Sequence, residues 1–205
     1  MIEAECHWIT NRLKGVRNVS IMDIGGGTHY HRLRVQPYIG YELHRPLLLQ
    51  DNQITVFERC LIQRKKDIVF SLPVELAGRA TGLWAPLHRV FFLWLPAARM
   101  VFGDCERFPI NGKSYDGVFM LSLLEHVRNP VEVLKGAARI LKKGGFMFVS
   151  IPEVYPYHPA PIDTSLRMSP DKLAQFVSPY LTVLDRASLS EDPACHVSIV
   201  QCRKE

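Results

Sequence analysis

With 205 residues, 47% of them hydrophobic and 22% charged, the chain suits one self-sufficient globular core and lies outside the disordered and collagen-like compositional classes. Its formal net charge of +5 is uneven: from Leu43 to Val101 eight basic residues face four acidic ones, so that region carries most of the excess. The richest apolar stretch, Trp84 to Met100, is broken by Pro86, His88, Arg89, Pro96 and Arg99, which excludes a membrane span of about 20 unbroken apolar residues.

The amino terminus, Met1 to His7, is acidic where a signal peptide is basic, and no apolar segment with a small-residue cleavage site follows it. The five cysteines (Cys6, Cys60, Cys105, Cys195 and Cys202) are scattered and form no CxxC pair, so neither a disulfide framework nor a metal site is expected. The chain therefore reads as a cytoplasmic protein of one domain, residues 1–205.

Glu3 to Arg17 predicts a short helix, with Ile9 and Leu13 on one face. Val19 to Ile24 is a compact apolar run that stops at three glycines, the pattern of a buried strand ending in a loop. Pro37 to Leu43 predicts a second strand so soon afterwards that the first crossover must be unusually short. Farther on, Ala98 to Asp104 and Tyr115 to Leu121 read as strands. Asn129 and Pro130 then open a helix that ends in the basic, glycine-stopped run Lys142-Lys143-Gly144-Gly145. Phe146 to Ile151 is apolar on both faces, as a central parallel strand is. Strands alternating with helices imply a parallel α/β sheet. Leu181 to Leu184 and His196 to Cys202 have no room between them for a crossover helix and predict an antiparallel pair.

The sharpest local signal is Asp23-Ile24-Gly25-Gly26-Gly27-Thr28-His29 directly after a strand. Glycines let a ligand approach the backbone, and the carboxyl end of the first strand of an open α/β sheet is the usual ligand crevice. Glu42 ends the predicted second strand and Asp104 the third, so an acidic residue stands at or near the tip of each of three successive strands. At the second tip, a carboxylate can accept hydrogen bonds from ribose hydroxyls.

These residues, with three later motifs, resemble the class I S-adenosylmethionine-dependent methyltransferases, particularly the small single-domain group. Met22 to Gly27 is similar to the family's D-x-G-x-G motif, and Gly103-Asp104-Cys105-Glu106-Arg107-Phe108-Pro109-Ile110 to its third-strand motif. Ser114-Tyr115-Asp116-Gly117-Val118 with Leu124-Glu125-His126-Val127 resembles the fourth-strand motif, and Arg139 to Gly145 the run before strand five. The resemblance implies a Rossmann-like seven-stranded sheet of order 3-2-1-4-5-7-6, mostly parallel with the last strand antiparallel, and helices on both faces. It also implies S-adenosyl-L-methionine as cofactor. Gly25 and Gly27 would border its methionine part, Asp23 and Gly26 of the same motif would belong to the cofactor site, Glu42 would hold the ribose, Asp104 would accept from the adenine amino group, the Cys105 backbone would approach the ring, and Leu121 would lie beside the sulfonium. His29 replaces a common third glycine, and Thr164-Ser165-Leu166 departs from the aromatic residues of a late family segment around Asp163 and Arg167.

Methyl transfer from a sulfonium is an in-line displacement, so its main demand on the protein is positioning. A hydroxyl or amine acceptor must also lose a proton, for which His158 or His126, both after sheet strands, is the candidate base. Asp163 and Arg167 are candidates to fix a polar substrate, or to pair with each other. The run after strand four is Leu121-Ser122-Leu123-Leu124, without the N/D-P-P-Y or Pro-Cys patterns of base-modifying enzymes, which disfavours a nucleic-acid acceptor and points to a small molecule or glycan.

Glu42 and Asp104 are 62 positions apart, well beyond what the resemblance implies there, so an insertion after strand two, at 43–95, is expected. With Arg64-Lys65-Lys66, Trp84 and Val90 to Leu95, it reads as a lid over the substrate, a surface for a membrane or partner protein, or an ordinary addition to the core. Two rival functions remain: a cofactor-binding but silent partner subunit, and a nicotinamide-dependent oxidoreductase, for which Gly25 to His29 fails to complete G-x-G-x-x-G.

Overall fold

The computed structural model describes residues 3–25, 41–58, 70–72, 99–102, 104–107, 114–157 and 163–205. Helix α1 (Glu3–Arg12) leads into β1 (Ser20–Ile24), followed by α2 (Tyr41–Leu48), β2 (Gln53–Glu58), the short β3 (Phe70–Leu72) and β4 (Arg99–Phe102). Then come β5 (Tyr115–Met120), α3 (Pro130–Ile140), β6 (Leu141–Val154), α4 (Pro170–Val177), β7 (Thr182–Asp192) and β8 (Cys195–Arg203).

The strands form one eight-stranded sheet, β3-β4-β2-β1-β5-β6-β8-β7. Strands β4, β2, β1, β5 and β6 run parallel, so all five end on the same edge. Strand β8 lies antiparallel between β6 and β7, as the polar turn between them predicted. With the edge strand β3 set aside, the order by sequence rank is the expected 3-2-1-4-5-7-6. Strand β3, antiparallel to β4, is an addition to that pattern.

Alternation along the central strands builds two cores. Met22, Ile24, Val118, Met120, Met147 and Val149 face α3 and α4 and bury Leu134, Ala137, Leu173 and Val177. On the opposite face, Ile21, Phe119 and Phe148 pack with Ile9 and Leu13 near α1 and with Leu43 and Leu47 of α2. Trp8 meets the Phe148 ring edge-on at 5.8 Å, and Arg12 lies over Trp8 at 3.4 Å while pairing with Asp185 of β7.

The second strand is not where the sequence suggested. Residues 41–48 of the expected strand and insertion form α2, and β2 is Gln53–Glu58. Glu42 therefore lies on a helix, not at a strand tip, and the first crossover does contain a helix. Buried Asn52 marks the real boundary. Its Oδ1 accepts from the Val19 N–H (3.1 Å), while its Nδ2 donates to the carbonyls of Val16 (3.1 Å) and Leu47 (3.0 Å), clipping the end of α2 to the entry of β1. Residues 43–58 thus belong to the parallel sheet and its helix layer, not to an insertion. The lid or interaction reading, where it concerns 59–69 and 73–95, lies outside the described residues.

Helix α3 also ends differently. Leu141 is already extended, and Lys142 to Gly145 belong to β6. The cation at its C-terminus is Lys204, whose Nζ donates to the carbonyls of Ala138 and Leu141, both at 2.7 Å. Asn129 precedes Pro130 as expected, but its side chain makes no capping bond. Asp116 of the fourth-strand motif sits at the opposite edge from the strand tips. It accepts from the Ser20 N–H (2.9 Å) and hydroxyl (2.7 Å) and from Lys142 (2.7 Å), tying β1 and β6 to β5. Partial burial acts to raise its pKa, but these donors outweigh it and hold the carboxyl below the ordinary value. Among the described residues no helix is long and apolar enough to cross a membrane.

Candidate functional site

The site is built on the edge where the parallel strands end. At the end of β1, Gly25 adopts φ +73°, a left-handed conformation open to glycine, and its N–H donates to the Phe57 carbonyl at 2.8 Å. A Cβ there would stand 2.7 Å from Leu123 Cδ1, so the loop after β5 presses onto the glycine backbone. Two residues earlier, Asp23 is buried, its Oδ2 2.6 Å from His44 Nε2 of α2. Among the described residues no hydrogen-bond partner reaches its Oδ1.

Strand β2 ends at Glu58, whose backbone is in register with Phe102 of β4. This acid, not Glu42, stands at the second strand tip. The sequence signal for it is the β-branched run Ile54-Thr55-Val56 closing on an acid, inside the segment expected to be an insertion. Beyond β4, Asp104 Oδ1 accepts from the Glu106 N–H (3.0 Å) and the Asp104 carbonyl from the Arg107 N–H (3.1 Å), folding Cys105–Arg107 into one 3₁₀ turn. That bond leaves the second carboxylate oxygen of Asp104 as an acceptor. Cys105 is half-buried against the α3 and α4 core.

After β5, Leu121 is buried and Ser122 takes φ +47°, a strained conformation for a non-glycine residue. The Ser122 N–H is held by Ser150 Oγ (3.0 Å) and the Ser150 carbonyl (3.2 Å), and the Ser150 hydroxyl donates to buried Glu5 of α1. The next turn, Leu124–His126, buries Glu125. Burial raises its carboxyl to about 7, Glu5 adds to the rise, and Arg167 opposes it. His126 Nε2 is 3.7 Å from Glu125 Oε1, too far for a hydrogen bond.

The last wall follows β6. Val154, Tyr155 and Tyr157 are exposed there. Arg167 grips the buried Asp163 carboxylate with two bonds, 3.0 and 2.8 Å, and Thr164 donates from N–H (2.8 Å) and hydroxyl (3.1 Å) to the Glu125 carbonyl. Of the two roles open to Asp163 and Arg167, the geometry gives the mutual pairing, and sets it against the Glu125-His126 turn. Asp23, Gly25, Asp104, Cys105, Leu121 and His126 all lie at this edge, whereas Gly26, Gly27 and His158 fall outside the described residues. Sequence reasoning does not single out His44, Glu58 or Glu125 as site residues. Glu125 alone lies inside one of the motifs.

Residues 86–149, spanning β4 to the middle of β6, match the family described as "Methyltransferase domain". A stretch of 47 residues is 48% identical to the ubiquinone biosynthesis O-methyltransferase of Marinobacter nauticus, covering 23% of this chain and 20% of that protein. The match thus spans about a fifth of that curated relative. Over nearly the whole chain the fold is similar to that of a Burkholderia thailandensis 1,6-didemethyltoxoflavin-N1-methyltransferase, solved with S-adenosylhomocysteine (TM-score 0.63, 17% identity, 98% of this chain and 77% of that one). It is also similar to that of a [4+2]-cyclase (TM-score 0.65, 12% identity, 98% and 79%). At such identities these two likenesses concern the fold alone. Motif order, the domain matched over residues 86–149 and the sheet topology all agree with the resemblance to the class I S-adenosylmethionine-dependent methyltransferases.

Proposed function

We propose that the protein binds S-adenosyl-L-methionine at the strand-tip edge and transfers its methyl group to an oxygen or nitrogen of a small molecule or glycan. The observation that carries this reading is the series of strand ends in order: Asp23 on β1 with Gly25 just after it, Glu58 on β2 and Asp104 after β4. The residues suit the cofactor in two respects. Gly25 turns the backbone through a left-handed conformation directly after β1, with Leu123 packed where a Cβ would stand, and Asp23 holds a buried carboxylate oxygen with no partner among the described residues. When bound, S-adenosyl-L-methionine supplies an electrophilic methyl group on a sulfonium. Gly25 borders its amino-acid part. Glu58 accepts from the ribose hydroxyls, in place of Glu42. Asp104 accepts from the adenine amino group through the oxygen not used in its own turn, and Leu121 shields the reacting centre from water.

On the acceptor side, the exposed Tyr155 and Tyr157 offer apolar faces to a small acceptor, and the Asp163 to Arg167 clamp fixes the wall behind them. The proton released by a hydroxyl or amine passes to an imidazole, for which His126 at this edge and His158 are the candidates. Holding two reactants in attack geometry supplies on the order of 7–11 kcal/mol of the barrier reduction. Cys195 and Cys202 are free thiols, in keeping with action in the cytoplasm.

Calorimetric titration with S-adenosylhomocysteine tests the cofactor site. Micromolar binding to the wild type, weakened by Asp104→Ala and by Glu58→Ala and unaffected by Glu42→Ala, is the expected pattern. Absence of binding to the wild type would end this reading, and sensitivity to Glu42→Ala alone would return the ribose contact to α2.

A further inference from the structure

Behind the glycine loop, Asp23 of the proposed cofactor site is bonded to His44, a buried residue with no role in the chemistry proposed for the strand tips. His44 on α2 and Asp23 on β1 come from different elements, 21 residues apart, and are 0% and 1% exposed. Their Nε2 to Oδ2 separation of 2.6 Å is that of a strong, charge-assisted bond. Such a pair is a poor way to gain stability, since an apolar pair of equal volume usually serves as well or better. A buried carboxylate oxygen with no hydrogen bond adds a further cost. Asp23 Oδ1 is such an oxygen among the described residues, and it belongs to a side chain two positions before the left-handed Gly25. Features of this kind persist where a ligand completes them.

We infer that His44 is a positioning residue for the cofactor: its ring N–H fixes Oδ2 of Asp23, so that Oδ1 accepts from the α-ammonium group of the cofactor's amino-acid part. This rests on the proposed cofactor site and adds to it a residue that touches no ligand. Removal of the imidazole frees the carboxylate to rotate, and the ammonium contact weakens. The adenosine part, held by other strand tips, is indifferent to the change.

The test pairs two ligands on the full chain. S-adenosylhomocysteine carries the ammonium and 5′-methylthioadenosine lacks the whole amino-acid part. In calorimetry, His44→Leu weakens S-adenosylhomocysteine by roughly 10- to 100-fold, the range of a hydrogen bond to a charged group, and leaves 5′-methylthioadenosine unchanged. His44→Gln, which keeps a donor for Oδ2, restores most of the loss, to within about 5-fold of the wild type. Where His44→Leu fails to fold, His44→Gln decides by itself: a small loss confined to S-adenosylhomocysteine supports the inference. Equal weakening of both ligands, or of neither, overturns it and leaves His44 a packing residue. A wild type that binds neither ligand overturns the proposed cofactor site and this inference with it.

Discussion

Glu125→Gln should make the protein more stable in mild alkali and flatten its dependence on pH. The carboxyl is buried in the turn after β5, with Glu5 of α1 raising its pKa further and Arg167 lowering it, and it titrates at about 7 in place of the usual 4.5. Between those values the folded state holds a proton that the unfolded chain has released. Stability therefore declines as pH rises through this window, with the contribution complete below about 4.5 and lost above about 7. The interval corresponds to about 3 kcal/mol, a large share of a typical folding free energy. Glutamine keeps the shape of the side chain, and its backbone carbonyl still receives Thr164. Urea unfolding of both proteins at intervals from pH 4.5 to 8.5 measures the effect, and the histidines common to both cancel in the difference. Asp116 and Asp185, whose carboxyls are held below their ordinary value of 3.8, lose their contribution at lower pH. The variant should gain on the wild type by about 3 kcal/mol from one end of the range to the other. Parallel curves, or a variant that loses ground as pH rises, would show that Glu125 is ionised in the fold and refute the reasoning.

Three further substitutions test the architecture around the site. Gly25→Ala places a side chain at φ +73° and against Leu123, so it should cost about 1–2 kcal/mol in urea unfolding and weaken S-adenosylhomocysteine in calorimetry; unchanged stability would mean that the loop accepts another conformation. Arg167→Met leaves the buried Asp163 carboxylate without its guanidinium and should cost about 3 kcal/mol in the same unfolding assay, with Asp163→Asn in the Arg167→Met background recovering part of it. Lys204→Met removes the cation from the last carbonyls of α3 and should lower stability by about 1 kcal/mol, whereas Lys143→Met, on an exposed position of β6, should leave it unchanged.

The features legible in the amino-acid sequence are those encoded within a short stretch of chain. Strands β1, β5 and β6 announce themselves because a central parallel strand is apolar on both faces, and the glycines after β1 mark a place where the backbone must turn. The acid of Asp104 is legible for the same reason, since it follows the end of a recognisable strand. The second strand fails on a local ambiguity. Pro37 to Leu43 and Gln53 to Glu58 are both short apolar runs, and Pro46 argues against the helix that occupies 41–48. Burial of Leu43, His44 and Leu47 on the α1 side of the sheet settles the choice, and that burial exists only once α1 and β1 are in place.

The sequence alone determined the order of most strands and helices and the motif residues at their ends, because hydrophobic periodicity and glycine placement act over a few residues. Only the tertiary structure decided which acid reaches the second strand tip, and that His44 meets Asp23, that Glu5 supports Ser150, and that Lys204 caps α3. Those partners are 21, 145 and 66 residues apart, and no local preference brings such groups together. What does so is the closing of two apolar cores on either face of the sheet, which buries the polar groups and obliges each to find its partner across the fold.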